Sequence, residues 1–523
     1  MRVLLINPYY PISETPSPPL GLAYLAAMLE RSGIEVKVLD FVVYPYSRDV
    51  LEQALNEFYP QMAGLTSVTM TFDHATQIVK DLKAIDPDIL TVIGGPHVTF
   101  RPLETLNEIP EIDIIVMGEG ESAIVSLTKE LAGKRDWSKV ASIAYRQNGE
   151  VQVSRISHKP LALDQLPRPS RHLLPLNRYR ALGMPLTMTT SRGCPFRCIF
   201  CVGRKMGGNK VRFRRPEDVV DELDLLSRLG FPQINIADDL FTASTPHCLS
   251  TCDGIIQRRL FIKWAAFSRV DTITPHVLER MRLAGCHTIS FGVESANPKI
   301  LRTIRKGITT GQVVSAVKMC VDAGISPHAS FILGLPGETP STIKETREFA
   351  EALKDMGASY GFHLLAPFPG TEVREKAKEL GIRILTNDWS RYHANRAVVE
   401  TRDVSKEMMD SIVKEWEEKF LAWLGDIERK MRIGAAPDHE IRQYKKLRHC
   451  SILYELMMNS SIENHGLCPP APQSSDPLKA LVQKLEGKIS YGKDETTEAL
   501  SKAVEQGVIK SEKEGGLIRW RWT

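Results

Sequence analysis

Three cysteines in the middle of the chain have the spacing of a metal-binding loop. Cys194, Cys198 and Cys201 form a C-x3-C-x2-C pattern that directly follows an apolar run. Three thiolates in one loop can bind three irons of a four-iron cluster, because iron–sulfur clusters favour cysteine ligands. No fourth cysteine follows at similar spacing, so the fourth iron would stay open for a substrate. The pattern therefore predicts an open, catalytic [4Fe-4S] site.

Two simpler interpretations of the triplet are a zinc site and three unrelated core thiols. Structural zinc usually has four protein ligands in two pairs, and no second C-x2-C or H-x3-H pair follows. A loop rich in Gly, Pro and Arg is a poor place to bury unrelated thiols. The other six cysteines are Cys248, Cys252, Cys286, Cys320, Cys450 and Cys468. This scattered set does not indicate a disulfide framework, and an auxiliary cluster would need further ligands.

Six short apolar segments, separated by helical patterns, begin just before the cysteine loop and continue after it. These predicted strands are residues 186–190, 233–237, 262–266, 288–292, 328–332 and 360–364. Six βα units predict a partial (βα)6 barrel at 184–400, with its chemistry at the C-terminal strand ends. Polar and glycine residues follow those ends: Asp238, Asp239, Arg269, Glu294, Gly334 and Glu338. A helix cap at Asp239 and a surface salt bridge at Arg269 are the plainer alternatives.

Residues 1–135 contain no cysteine and show a different pattern. Five short apolar strands alternate with helices, which predicts a doubly wound parallel sheet. Such sheets bind ligands beyond the carboxyl ends of their strands. The loops at those ends carry Asn7, Pro19, Gly21, Thr66, Ser67, Gly94, Gly95, Pro96, His97, Gly118, Glu119 and Gly120. Tight turns without a ligand are an equal alternative, and a dinucleotide is a poor fit because no G-x-G-x-x-G follows the first strand.

The remaining segments and the composition narrow the range of functions. Residues 136–183 are predicted to be a linker with a β-hairpin, and 401–523 a helical region whose last part, 478–523, has the element order of a winged helix. With 67 Lys+Arg against 63 Asp+Glu, the net charge of +4 does not indicate a nucleic-acid partner. Neither a secretory signal nor a run of about 18 uncharged apolar residues is present. We therefore expect a cytoplasmic protein without a transmembrane segment.

The segment at residues 191–201 resembles the signature of the radical S-adenosylmethionine (SAM) superfamily. In that family the open iron chelates the methionine moiety of SAM, and an electron from the cluster cleaves SAM to give a 5′-deoxyadenosyl radical. The resemblance implies SAM-binding roles for Phe200, Asp238, Asp239, Arg269, Glu294, Gly334 and Glu338. Glu294 would bind the ribose hydroxyls and Arg269 the carboxylate, while one of the two aspartates would bind the amino group. An external electron donor of the flavodoxin or ferredoxin type and sensitivity to oxygen are also implied.

The strand ends of residues 1–135 resemble the cobalamin-binding domain of one group of radical SAM enzymes. The shared motifs are N-P after the first strand, P-P-L-G-L at 18–22, G-G-P-H at 94–97 and G-E-G-E at 118–121. The resemblance extends to about residue 375 and implies cobalamin contacts for the twelve strand-end residues. The D-x-H-x-x-G motif, which supplies a cobalt ligand in some cobalamin domains, is absent. His97 is therefore expected to form hydrogen bonds within its loop.

The two resemblances together imply a cobalamin-dependent radical SAM enzyme that methylates an unactivated carbon. Its substrate would be a small molecule, including a lipid or a tetrapyrrole-like compound. A non-methylating reaction is the first alternative, such as the anaerobic oxidative ring cyclisation of the porphyrin pathway. A corrinoid- or metal-sensing binding protein, with the terminal wing as its output, is an alternative from another class. A methylthiotransferase is disfavoured because residues 1–193 contain no cysteine triplet.

Overall fold

The structure of the chain, a computed structural model, describes residues 1–9, 16–155, 160–469 and 477–523. It is a mixed α/β protein with two largely parallel sheets and a helical C-terminal region, which confirms the predicted class. Within these ranges, no helix combines the length and the apolar character needed to cross a bilayer.

The N-terminal part of the chain forms a sheet that is covered by helices on both faces. Its strands are β1 (Arg2–Asn7), β2 (Glu35–Asp40), β3 (Met62–Thr66), β4 (Leu90–Gly94), β5 (Ile114–Val116), β6 (Ile143–Gln147) and β7 (Glu150–Val153). Its helices are α1 (Leu20–Arg31), α2 (Arg48–Phe58), α3 (Phe72–Ile85), α4 (Pro96–Thr99), α5 (Pro102–Glu108) and α6 (Glu121–Ala132). The strand order is β2-β1-β3-β4-β5-β6-β7, and the first five strands are parallel, as predicted. The hairpin β6–β7 pairs antiparallel with β5, so the sheet continues past residue 135 into the predicted linker.

The central part of the chain is an open barrel, which a short helix α7 (Leu176–Ala181) precedes. Its strands are β8 (Leu186–Met188), β9 (Ser191–Arg192), β10 (Arg212–Phe213), β11 (Ile234–Ile236), β12 (Trp264–Ser268), β13 (Cys286–Glu294), β14 (Ser326–Leu333) and β15 (Ser359–Leu364). Its helices are α8 (Gly203–Gly207), α9 (Pro216–Ser227), α10 (Thr245–Gln257), α11 (Pro275–Leu283), α12 (Pro298–Thr303), α13 (Thr310–Asp322) and α14 (Pro340–Asp355). Six strands are parallel in the order β15-β14-β13-β12-β11-β8, as successive right-handed βα units require. The antiparallel pair β9–β10 brackets the cysteine loop.

The C-terminal region packs against the linker and the N-terminal sheet. The chain reaches it through α15 (Glu372–Glu375), β16 (Ile382–Ile384) and β17 (Val399–Thr401). The region consists of α16 (Lys406–Arg432), α17 (Asp438–Met458), α18 (Ser461–His465), β18 (Leu467–Cys468), α19 (Pro477–Leu485), α20 (Lys493–Glu505), β19 (Ile509–Glu514) and β20 (Leu517–Trp522). Its three strands pair in the order β18-β20-β19. Its apolar core includes Val42 and Val43, which follow β2, and Tyr179 of α7.

Candidate functional site

The cysteine loop begins after β8 and is shaped by close backbone contacts. Gly193 has a φ of +105°, and a side chain there would lie 2.7 Å from the carbonyl oxygen of Lys210, so only glycine fits. The Cys194 N–H donates to the carbonyl oxygen of Gly208 at 3.1 Å. Ile199, between the second and third cysteines, is buried in the core of the barrel. The loop is therefore fixed at both ends and in its middle.

The three cysteine thiols lie near one another and near two cations. Burial raises the pKa of Cys198, whereas Lys306 and Arg269 act in the opposite direction and favour its thiolate. Burial raises the pKa of Cys201, and the other two thiols add to the rise, whereas the Gly203 N–H, which donates to the Cys201 sulfur at 3.3 Å, lowers it. In a cluster each thiolate binds a different iron, so the thiols need not converge on one point, and no three metal-binding side chains among the described residues do so. The loop fits a cluster held by one thiolate per iron.

Two buried cations face the cysteine loop, and sequence reasoning found only one of them. Arg269 lies 3.6 Å from the ring centroid of Phe196 and forms a bidentate pair with Asp271, both distances being 2.9 Å. The second cation, Lys306, donates to Glu294 Oε1 at 2.7 Å. A lone lysine after a helix carries no signal in the sequence. Only the fold shows that Lys306 is buried beside the cysteines.

Glu294 has a strained backbone conformation at the C-terminal end of β13. Its φ is +70°, which is unusual for a residue with a side chain, and the sheet register shifts at this point of β13. Its carboxylate bends back over Gly292, where an added Cβ would lie 2.3 Å from Oε1. The Lys306 ammonium is 6.0 Å from the ring centroid of Phe200. A buried ion pair beside an aromatic ring and the cysteine loop is a candidate binding site for a polar ligand.

The structure separates the two aspartates that follow β11. Asp238 is buried, and its Oδ1 accepts from the Thr190 N–H at 2.6 Å while its Oδ2 accepts from the hydroxyls of Thr190 and Ser191 at 2.5 and 2.7 Å. Both oxygens are thus used to hold the chain just before the cysteine loop. Asp239 accepts from the Gly193 N–H and lies against the other end of that loop. Of the two, Asp239 is the one that borders the loop.

Gly334 and Glu338 shape their own loop after β14. Glu338 Oε2 accepts from the N–H groups of Gly334 and Leu335 at 2.6 and 3.0 Å, and Oε1 is buried without a hydrogen-bond partner among the described residues. Burial raises the pKa of Glu338 to about 8, although the two N–H donors lower it. A side chain on Gly334 would meet the Met409 sulfur of α16 at 2.7 Å. Glu338 therefore holds the loop after β14 by hydrogen bonds, and Gly334 lets that loop pack against α16.

Two cavities lie at the carboxyl ends of the first sheet. The first, about 260 Å³, is lined mainly by glycines and aliphatic side chains, and its lining includes Gly21, Thr66, Gly94, Gly95, Gly118, Glu119, Gly120 and Arg192. The second, about 430 Å³, is lined by Asn7, Thr66, Val68, Thr69, Met70, Thr71, Pro96, Val202, Phe368 and Pro369. Because Val202 directly follows Cys201, the second cavity connects the sheet to the cysteine loop. Nine of the twelve predicted strand-end residues line one cavity or the other, and the exceptions are Pro19, Ser67 and His97.

The prediction that His97 forms hydrogen bonds in its loop holds for its main chain, whose N–H donates to the carbonyl oxygen of Ser67 at 3.4 Å, but not for its side chain. Its ring is stacked on Phe72 at 4.1 Å and meets Trp389 edge-on at 4.8 Å, and neither ring nitrogen has a partner within the described chain. Burial lowers the pKa of His97 to about 3, with Arg101 and Arg374 adding to the effect. The imidazole is therefore a neutral core ring. No local pattern could reveal this, because Trp389 is distant in sequence.

Glu119 belongs to an ion network between the first sheet and the barrel. Its carboxylate pairs with Arg212, with one oxygen at 3.1 Å, and Arg192 lies 3.5 Å away. Arg192 also donates to Glu121 at 2.7 Å. Since Arg192 is two residues before Cys194, the network ties the cysteine loop to the glycine-rich end of β5. Glu119 was predicted to contact cobalamin. In the structure its negative charge is instead neutralised by Arg212 and Arg192.

The other cysteines do not form part of this site. Cys248, Cys252, Cys286 and Cys320 are buried in the core outside the cysteine loop. Burial raises the pKa of Cys286 well above its usual range and that of Cys320 to about 12. Such thiols are protonated and unreactive, as expected for apolar packing residues.

A parallel sheet with a glycine-lined cavity, followed by an open barrel with a three-cysteine loop, defines the class of radical SAM enzymes that carry a corrinoid domain. The family model of the B12 binding domain matches residues 13–128, and that of the Radical SAM superfamily matches residues 188–350. An uncharacterized methyltransferase of Pyrococcus horikoshii is 35% identical over 423 residues, covering 79% of this chain and 91% of that protein. The chain therefore belongs to the family of B12-binding radical SAM enzymes, which confirms the resemblance seen in the sequence.

Two further similarities agree with this membership. An anaerobic magnesium-protoporphyrin IX monomethyl ester cyclase of Rubrivivax gelatinosus is 29% identical over 439 residues, covering 80% of this chain and 78% of the cyclase. The structure of OxsB, a cobalamin-dependent SAM radical enzyme, matches with a TM-score of 0.70 at 19% identity, covering 97% of this chain and 79% of that chain. The B12 binding domain and the Radical SAM domain give the protein the cofactors of this family, which are cobalamin, SAM and a [4Fe-4S] cluster.

Proposed function

We propose that the protein is a methyltransferase that acts on an unactivated carbon. The observation that carries this proposal is the cavity of about 430 Å³ with Asn7 and Thr66 of the first sheet on one side and Val202 of the cysteine loop on the other. When bound, cobalamin supplies a methyl group, and the cluster supplies the electron that cleaves SAM. A substrate in this cavity would lie between the two cofactors. The relative of Pyrococcus horikoshii, an uncharacterized methyltransferase, supports methyl transfer as the class of reaction.

For the barrel side, we propose that Cys194, Cys198 and Cys201 bind the cluster. Glu294 would accept the ribose hydroxyls of SAM, beside the ring of Phe200. Lys306 and Arg269 would provide the positive charge for the SAM carboxylate, and Asp239 would face its amino group. Asp238 and Gly334 would instead hold the loops that carry these residues, because their polar groups or packing space are already used. Glu338 would do the same through Oε2, which accepts from two N–H groups of its own loop. An external flavodoxin- or ferredoxin-type donor would reduce the cluster.

For the corrinoid side, we propose that a domain spanning residues 1–135 holds cobalamin. Its contacts would be the residues that line the first cavity, together with Asn7, Thr66 and Pro96 on the sheet side of the second. The glycines leave room for close approach of the ligand to the backbone. The second cavity has an apolar lining that includes Val68, Met70 and Phe368, which would exclude water from reactive species. The same lining favours a substrate with a large apolar part, such as a lipid or a tetrapyrrole-like compound.

A second candidate reaction is anaerobic oxidative ring cyclisation, which the cyclase relative of Rubrivivax gelatinosus favours. The two reactions differ in the fate of the SAM methyl group. The test is anaerobic turnover of the reduced holoenzyme with a small-molecule cell extract and SAM labelled in its methyl group. We expect a new compound that carries the label, together with 5′-deoxyadenosine. A product that has lost hydrogen and carries no label would favour cyclisation, and no 5′-deoxyadenosine would favour a corrinoid sensor.

For the C-terminal region, we infer that residues 478–523 form a winged helix with a structural role. The element order α19, α20, β19, β20 and the strand order β18-β20-β19 support this inference. In a helix-turn-helix arrangement the second helix, here α20, would enter a DNA groove. Its Glu495 and Glu498 pair instead with Arg448 and Lys445 of α17, at 3.0 and 2.8 Å. An acidic helix engaged in this way is unsuited to bind nucleic acid.

A further inference from the structure

Asn7, at the end of β1, is hydrogen-bonded to the buried carboxylate of Asp40, on the side away from the cavity. The proposed site does not otherwise use Asp40. Asn7 lines the cavity between the sheet and the cysteine loop, and its Nδ2 donates to Asp40 Oδ1 at 2.8 Å. The Val42 N–H donates to the same oxygen at 3.2 Å. Asp40 is only 2% exposed and has no cationic partner in the described part of the chain. A buried carboxylate without a cation is costly unless hydrogen bonds stabilise it.

The remaining hydrogen bond to Asp40 comes from outside the N-terminal sheet. The Tyr179 hydroxyl donates to Asp40 Oδ2 at 2.7 Å. Tyr179 lies on α7 and is fully buried in the core of the C-terminal region, together with Leu453, Leu481 and Trp520. The hydroxyl can reach Asp40 only while α7 is packed in that core. The C-terminal region is thereby linked to the ends of β1 and β2.

Arg178, the residue before Tyr179, fixes α7 in this position. Its Nη1 donates to the carbonyl oxygen of Val43 at 2.9 Å, and its guanidinium lies 3.7 Å from the ring centroid of Tyr44. It also forms an ion pair with Glu463 of α18. The short helix is therefore clamped between the loop after β2 and the C-terminal region.

A second contact reaches the chain on the other side of Asn7. Tyr454 of α17 lies beside Tyr9, and burial, followed by the neighbouring Tyr9 hydroxyl, raises the pKa of Tyr454. Tyr9 is two residues after Asn7, and its ring contacts that of His74 at 5.4 Å. The C-terminal region thus touches the N-terminal sheet on both sides of the residue that lines the cavity.

We propose that the C-terminal region positions Asn7 toward cobalamin through the hydrogen bonds that Tyr179 and Asn7 both donate to Asp40. This inference rests on the proposed role of Asn7 as a cobalamin contact. With its Nδ2 fixed on Asp40, the amide of Asn7 keeps one orientation and directs its carbonyl oxygen to the cavity. Asp40 and Tyr179 are positioning residues in this scheme, and neither touches the ligand.

A double-mutant cycle on the full chain tests the proposal, with hydroxocobalamin as the probe and its absorption spectrum as the readout. Tyr179→Phe removes only the hydroxyl, and we expect it to raise the Kd for hydroxocobalamin about fivefold, the loss of part of one charge-assisted hydrogen bond. In an Asn7→Ala background the same change should have almost no further effect, because the residue to be positioned is gone. Tyr444→Phe is the matched control, since it removes a tyrosine hydroxyl that bonds to Glu428 within the C-terminal region at 2.5 Å. Its Kd should equal that of the wild type.

Two results would overturn the proposal. One is a Tyr179→Phe variant that binds hydroxocobalamin as tightly as the wild type. The other is a Tyr179→Phe effect of equal size in both backgrounds, accompanied by a lower melting temperature, which would indicate general destabilisation. A wild-type protein that does not bind hydroxocobalamin at all would instead refute the cobalamin site itself and the inference with it.

Discussion

The two sides of the candidate site are assembled in different ways. The cysteine side is local: its three thiols lie within eight residues, and neighbouring backbone groups close their loop. The corrinoid side is composite: it combines the ends of several strands with support from Tyr179, Arg192 and Trp389, which lie far along the chain. The cluster ligands therefore depend on one short loop, whereas the corrinoid side depends on how the parts of the protein pack together.

The largest effect is expected from breaking the local side alone. Replacing Cys194, Cys198 and Cys201 together by Ala should abolish both the iron content and the formation of 5′-deoxyadenosine, because three of the four irons lose their only protein ligand. Hydroxocobalamin binding should remain, since the corrinoid cavities do not include the thiols. The matched control is Cys248→Ala with Cys252→Ala, which should retain iron. A triple variant that still binds iron and cleaves SAM would contradict the assignment.

The next effect tests the ion pair beside the cysteines. Lys306→Met leaves Glu294 buried without a cation, and we expect the affinity for SAM to fall about 10- to 100-fold, as for loss of a charge-assisted contact. Equilibrium binding of SAM to the anaerobically reconstituted protein measures this. Lys299→Met, on the exposed surface of α12, is the control and should bind SAM normally. If Lys306→Met binds SAM as tightly as the wild type but has a lower melting temperature, Lys306 serves only to stabilise Glu294 in the fold.

The difference between the two sides also explains what could be predicted from the sequence. The six barrel strands, the five parallel strands and the cysteine triplet are visible because period and spacing are local properties. Lys306, the Asp40–Tyr179 hydrogen bond and the Arg192–Glu121 pair join residues that are distant in sequence, so no window of residues contains their signal. Asp238 and Asp239 show the limit within one motif. The two are adjacent and identical in type, and only the turn of the backbone makes one of them buried support and the other a neighbour of the cysteine loop.

A pH experiment tests whether Glu338, which holds the loop after β14, is protonated in the folded protein. Burial raises the pKa of Glu338 to about 8 from a usual value of 4.5, so the folded protein retains a proton that the unfolded chain releases. The free energy of unfolding should therefore fall as the pH rises from about 4.5 to about 8, with each unit of difference in pKa worth about 1.4 kcal/mol. Urea unfolding of the wild type and of Glu338→Gln at several pH values measures this. The glutamine mimics the neutral acid, and the difference between the two proteins should vary across that window; a constant difference would show that Glu338 is ionised in the fold.

The smallest effect is expected at His97. This residue belongs to the corrinoid side, and its G-G-P-H motif predicts a functional role. His97→Phe should leave the spectrum of bound hydroxocobalamin unchanged. The ring is neutral and buried, and His97 lines neither cavity, although Pro96 directly before it lines the second. Stability should be equal or slightly higher, since neither ring nitrogen has a hydrogen-bond partner to lose among the described residues. His97→Ala, in contrast, should cost about 2–5 kcal/mol of unfolding free energy by leaving a hole between Phe72 and Trp389. If the phenylalanine variant altered the cobalamin spectrum while the protein stayed folded, His97 would have to reach the ligand. The motif G-G-P-H would then owe its histidine to cofactor binding, whereas the structure gives that histidine a role in joining the first sheet to Trp389.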